Sequence, residues 1–91
     1  MDRQTFEAEL ARDGYEAREN AMQPGAFNSD HEHPFDARLL VLAGEMTVAF
    51  DGQSKTCRPG DSFELAAFVT HSETVGPNGV SYVAGRRKPG A

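Results

Sequence analysis

The chain has 91 residues, 38% of them hydrophobic and 25% charged, with a formal net charge of −5 at neutral pH. That length supports one domain with a modest core, and the composition is that of a folded globular chain rather than a disordered one. The acidic surplus excludes general nucleic-acid binding, which needs a basic face to displace counterions from phosphates.

The longest apolar run, residues 39–43, is far too short to cross a bilayer, so no membrane partner is expected. The first residues lack the basic and apolar blocks of a secretory signal, and the single cysteine, Cys57, has no partner for an intrachain disulfide. Both point to the cytoplasm. Cys57 itself reads as a small buried hydrophobe.

Residues 1–13 read as a short helix. Asp2 or Thr5 caps its start, Phe6 and Leu10 share one face, and Gly14 ends it with a left-handed residue. So few apolar residues make a helix that is marginal alone, so it has to dock. Residues 15–22 are polar and suit an edge strand, which 23–25 (Gln-Pro-Gly) breaks.

Residues 27–30 lead into His31-Glu32-His33. In an extended strand side chains alternate faces, so His31 and His33 share one side with Cα atoms roughly 7 Å apart. Residues 39–42 are apolar on both parities, as in a strand covered on both faces, and Ala43-Gly44 is expected to end it. Residues 45–50 alternate, and Asp51-Gly52 signals a type I′ turn with 53–58 as the returning strand. After the turn at Pro59-Gly60-Asp61, short strands are expected at 62–65, 71–75 and 80–84, with 76–79 as a loop. Arg86-Arg87-Lys88 reads as a solvated tail. Many short strands punctuated by turns predict an antiparallel sandwich or barrel.

Gly25, His31-Glu32-His33 and Gly44 together resemble the first motif of the cupin superfamily, and Pro59-Gly60-Asp61 followed by His71 resembles the second. The resemblance covers residues 25–85. It implies an all-β fold, a double-stranded β-helix or jelly-roll barrel with a short N-terminal α-helix. It also implies one cupin domain over residues 1–91, with the helix at 1–13, the barrel at 15–86 and a tail at 87–91. Members of the family often bind Fe, Mn, Ni, Zn or Cu through the first-motif histidines, a glutamate four residues on and the second-motif histidine. Carried over, those positions are His31, His33 and His71, while Ala37 stands where the glutamate is expected. Asp36 has the wrong parity to replace it, and Arg38 cannot ligate. What remains is a neutral three-histidine shell, similar to that of the thiol dioxygenases of the superfamily.

Glu73 lies two residues beyond His71 on the same face of a strand. As the catalytic candidate it supplies the missing carboxylate, orients an imidazole or acts as a base, against the simpler reading of a solvated rim residue. Phe35, Phe50, Phe63 and Phe68 read as core, and Tyr82 as a polar contact in the cavity. The expected function is a small cupin that binds a divalent transition metal and a small molecule in the barrel, acting as a dioxygenase or isomerase on a small metabolite. The alternative is a non-catalytic ligand-binding or sensing barrel that has lost its metal. An unpaired sheet edge leads us to expect a homodimer.

Overall fold

The computed structural model describes residues 1–90. Helix α1 spans Arg3–Arg12, shorter at both ends than the sequence suggests. Asp2 rather than Thr5 is the cap, because its carboxylate accepts from the Thr5 amide at 2.8 Å and satisfies a donor the helix leaves free. Gly14, at φ +80°, turns the chain so that the Tyr15 amide donates back to the Leu10 carbonyl.

Six strands follow: β1 Glu16–Met22, β2 Phe27–His31, β3 Asp36–Phe50, β4 Gln53–Cys57, β5 Ser62–Leu65 and β6 His71–Arg87. They form one antiparallel sheet in the order β1-β6-β3-β4, with β2 also on β6 and β5 also on β3. The two long strands are its spine, and the sheet curls around them into a jelly-roll barrel. Asp51 and Gly52 both take positive φ, as the I′ hairpin between β3 and β4 requires.

Three boundaries differ from the sequence reading. Ala43-Gly44 does not end a strand. Gly44, at φ +74°, sits at a register irregularity that bends β3 without breaking it. Residues 76–79 likewise stay within β6: the register passes from Gly44↔Val80 to Met46↔Val75, so that stretch bulges opposite Glu45 alone. A Cβ at Gly44 would overlap the Gly79 carbonyl, so the two glycines let the bulge close. Arg87 is no tail residue. It pairs in register with Asp36, bonds its carboxylate at 3.2 Å and donates to the Asp13 carbonyl.

The core has two compartments. Inside the barrel Val41, Met46, Val48, Cys57, Phe63, Val75 and Val80 pack together. On the outer face Phe6 and Leu10, both fully buried, dock on Leu40 and Val83. Thus β3 is covered on both sides, by the barrel interior and by α1. Gly85 permits the helix contact, since a Cβ there would lie 2.7 Å from Leu10 Cδ2. Arg38 clamps it by reaching Glu9 at 3.0 Å and Asp13 at 3.3 Å. Among the described residues no helix is long and apolar enough to cross a membrane.

Candidate metal centre

Strand β2 stops at His31, so His33 lies in the irregular segment after it rather than in a continuous strand. The rings converge all the same. His31 faces His71 directly across the β2–β6 register. The ring centroids are 4.3 Å apart for His31 and His71, 4.9 Å for His31 and His33, and 5.2 Å for His33 and His71. One nitrogen from each ring lies within 4.8 Å of the others. Metal–nitrogen bonds of about 2.0–2.1 Å at tetrahedral angles set ligating nitrogens about 3.3–3.4 Å apart, so the three rings have to draw together to close on one ion.

The backbone fixes two of the three tautomers. His31 Nδ1 lies 2.7 Å from the Ser29 carbonyl and His71 Nδ1 lies 3.0 Å from the Val69 carbonyl. A carbonyl only accepts, so in each ring Nδ1 carries a proton, and the neutral form of each ring presents its lone pair at Nε2. This is the state a metal needs, and an outer hydrogen bond that orients a ligating ring is the usual support for one. His33 stacks on Phe35 at 4.8 Å and 14°. Burial pushes its imidazole below the ordinary value, and His31 and His71 add in the same direction, which favours the unprotonated ring.

Glu73 sits beside this cluster rather than on a solvated rim. Its side chain is 16% exposed, it accepts from Asn28 Nδ2 at 3.0 Å, and its Oε1 is 3.8 Å from His31 Nε2. With His31 in the tautomer set by Ser29, two acceptors face each other across that gap. A proton on His31 Nε2 or a metal ion beside it satisfies both acceptors. The donor chemistry therefore fits a divalent ion.

The surrounding cavity has a volume of about 250 Å³. Its polar wall includes Asn20, Asn28, Glu73 and Tyr82, and its apolar wall includes Met22, Phe35, Leu39 and Phe63. Ligand pockets for drug-sized molecules run to about 300–1,000 Å³, so this one suits something smaller. Burial raises the Tyr82 hydroxyl above its ordinary pKa and keeps it a hydrogen-bond donor.

Of the other residues the sequence singled out, Ala37 lines the cavity and Asp36 points elsewhere, taking the Ala67 amide at 2.9 Å. Phe63 is core. Phe35 instead forms cavity wall, and Phe50, half-buried, packs on the core edge-on to Phe63. Phe68 is a correction: it is 58% exposed at φ +64°, in the connection whose Phe68 amide bonds the His33 carbonyl. Cys57 is buried as expected, and burial raises its thiol pKa. Asn28 went unnoticed because no spacing rule links it to Glu73. Only the β2–β6 register, which places the two side by side, reveals it.

A small jelly-roll barrel with three imidazoles converging in its cavity is the class that fold and site define. The family model described as "Cupin domain" matches residues 19–75, and the chain belongs to the cupin family. Solved structures agree on the fold. The chain is similar to a cupin superfamily protein from Desulfitobacterium hafniense, at 22% identity and a TM-score of 0.71, over 81% of this chain and 67% of that one. It is similar to an RmlC-like cupin from Shewanella frigidimarina, at 28% identity and a TM-score of 0.69, over 79% and 64%. It is also similar to KdgF from a Halomonas species, at 21% identity and a TM-score of 0.67, over 81% and 69%. The chain spans about two thirds of the length of these relatives. No curated protein matches it.

Proposed function

We propose that the protein binds one divalent transition metal ion through His31, His33 and His71, with a small organic molecule beside it. The observation that carries this reading is the histidine cluster, its nitrogens within 4.8 Å and two of its tautomers fixed by backbone carbonyls. Imidazole suits Fe, Ni, Zn and Cu, whereas Mn favours oxygen ligands, and the choice among them follows geometry and availability. Such an ion, when bound, supplies Lewis acidity or oxygen activation.

The chain's own residues supply the rest. Glu73, held by Asn28, takes a proton from a ligand at the cluster. Phe35 and Leu39 keep the wall beside it apolar, and Tyr82 donates from the opposite strand. Dioxygenase- or isomerase-type turnover of a small metabolite is the activity we assign. Binding without turnover, in a barrel that has given up its metal, is the second reading, and Ala37 favours it by leaving the shell without an anionic ligand. We further propose a cytoplasmic homodimer that pairs through the free edge of β1.

Elemental analysis of protein purified without tag or chelator tests the metal assignment. Wild type is expected to hold close to one ion per chain, and His71→Ala none, with an unchanged circular dichroism spectrum. If both are metal-free and neither takes up metal on titration, the second reading replaces the first.

A further inference from the structure

Arg86 stands apart from every other arginine of the chain. Among the described residues Arg3, Arg12, Arg18, Arg38, Arg58 and Arg87 each lie within ion-pair distance of a carboxylate, and Arg86 does not. A shortage of acids is not the cause, with 14 acidic residues against 9 basic ones. Nor is strand geometry. Glu16 lies directly across from Arg86 in the β1–β6 register, yet it pairs with Arg18 at 3.3 Å.

The Arg86 guanidinium instead rests over the Phe35 ring, its Cζ 4.9 Å from the centroid, and forms part of the cavity that holds the histidines. On its other flank the residue in register is Ala37, which lines the same cavity and whose methyl group offers no acceptor. A guanidinium steadied on an aromatic face presents a planar fork of N–H donors, the shape that takes a carboxylate through two parallel bonds. The mouth of the cavity therefore carries a solvent-facing cation to which neither neighbouring strand gives an anion.

We infer that the ligand is a small organic acid whose carboxylate is held by Arg86 in the space beside Ala37, while its other end lies at the histidines. The inference rests on this cavity being the ligand site, and it does not depend on whether metal is bound. Phe35 sets the length of the molecule. One ring spans the distance, contacting Arg86 at 4.9 Å and the His33 imidazole at 4.8 Å. A short-chain acid fits that span and the volume of about 250 Å³.

The test titrates sodium butanoate and its neutral isostere butanamide into metal-free protein, followed by backbone amide NMR. The titration is run at about pH 8, above the range in which free imidazole takes up a proton. Butanoate is expected to give saturable shifts at Phe35, Ala37 and Arg86, with butanamide at least tenfold weaker. Arg86→Gln, at an exposed position, is expected to erase that preference. Ala37→Glu, which places a carboxylate directly across from Arg86, is expected to exclude butanoate. Equal binding of the two probes, no saturable binding of either, or an unchanged preference in Arg86→Gln overturns the inference. Because the metal is removed first, failure of the metal assignment leaves this result readable.

Discussion

Changing Glu73 to glutamine removes one negative charge beside His31 and little else. The glutamine amide oxygen still accepts from Asn28, whose Nδ2 now lies 3.0 Å from the carboxylate. The carboxylate oxygen is 3.8 Å from His31 Nε2, and its side chain is only 16% exposed, so solvent screens it weakly. Unit charges about 4 Å apart interact by about 4 kcal/mol at an effective dielectric near 20, which is an upper limit here. Because Ser29 holds the outer nitrogen of His31, Glu73 acts on the ion by charge alone, and a loss of about 1.4–2.7 kcal/mol, within that limit, is about 10- to 100-fold in metal affinity. We predict that Glu73→Gln raises the metal Kd by that factor, measured by competition with a chelator of known affinity. Glu32→Gln is the control, since it makes the same charge change between two of the ligands but at an exposed position. Screening should hold its effect to about threefold or less. If Glu73→Gln also stays within about threefold, or if the two variants weaken binding equally, the assigned role of Glu73 is wrong.

Two further predictions concern what holds the barrel. Leu10→Ala empties a fully buried site under the helix and should cost about 2–5 kcal/mol, a fall in Tm of at least about 8 °C, with metal affinity unchanged. A loss below about 1 kcal/mol in thermal unfolding would mean that α1 is not docked. The Ala67 amide, then the Arg87 guanidinium, hold the Asp36 carboxyl below its ordinary range. Its stabilising effect is therefore full above the usual carboxylate pKa of about 3.9 and lost as pH falls through the lower folded value. Asp36→Asn should be less stable than wild type near neutrality, and the two urea midpoints should converge below about pH 4. A gap that does not change with pH refutes this account.

Local chemistry made much of this legible in the sequence. Asp51-Gly52 needs no tertiary contact to specify its turn, and the two-sided apolarity of residues 39–42 already requires cover on both faces. The three histidines stood out because a fixed motif spacing carries them. What stayed hidden depends on which strand lies beside which. Glu73 is a rim residue or a cavity residue according to whether β2 pairs with β6, and no local pattern decides that. Arg87 looks like a tail residue until Asp36 is placed opposite it. The bulges at Gly44 and at residues 76–79 hide two continuous strands, because the glycines that bend a strand are the same ones that end it elsewhere. Phe68 was misplaced for a related reason, since hydrophobicity alone says nothing about a left-handed backbone held by the His33 carbonyl.

Strand β3 serves two masters along one short stretch. Arg38 and Leu40 secure the helix, while Ala37 and Leu39 border the cavity. Inserting or deleting one residue there would exchange the two sets, sending a second guanidinium to the cavity beside that of Arg86 and stripping the helix of its seat. Length changes are therefore closed to this segment. Any drift in ligand preference, natural or engineered, has to proceed by substitution at alternate positions, with Ala37 as the place where a new side chain meets the least resistance.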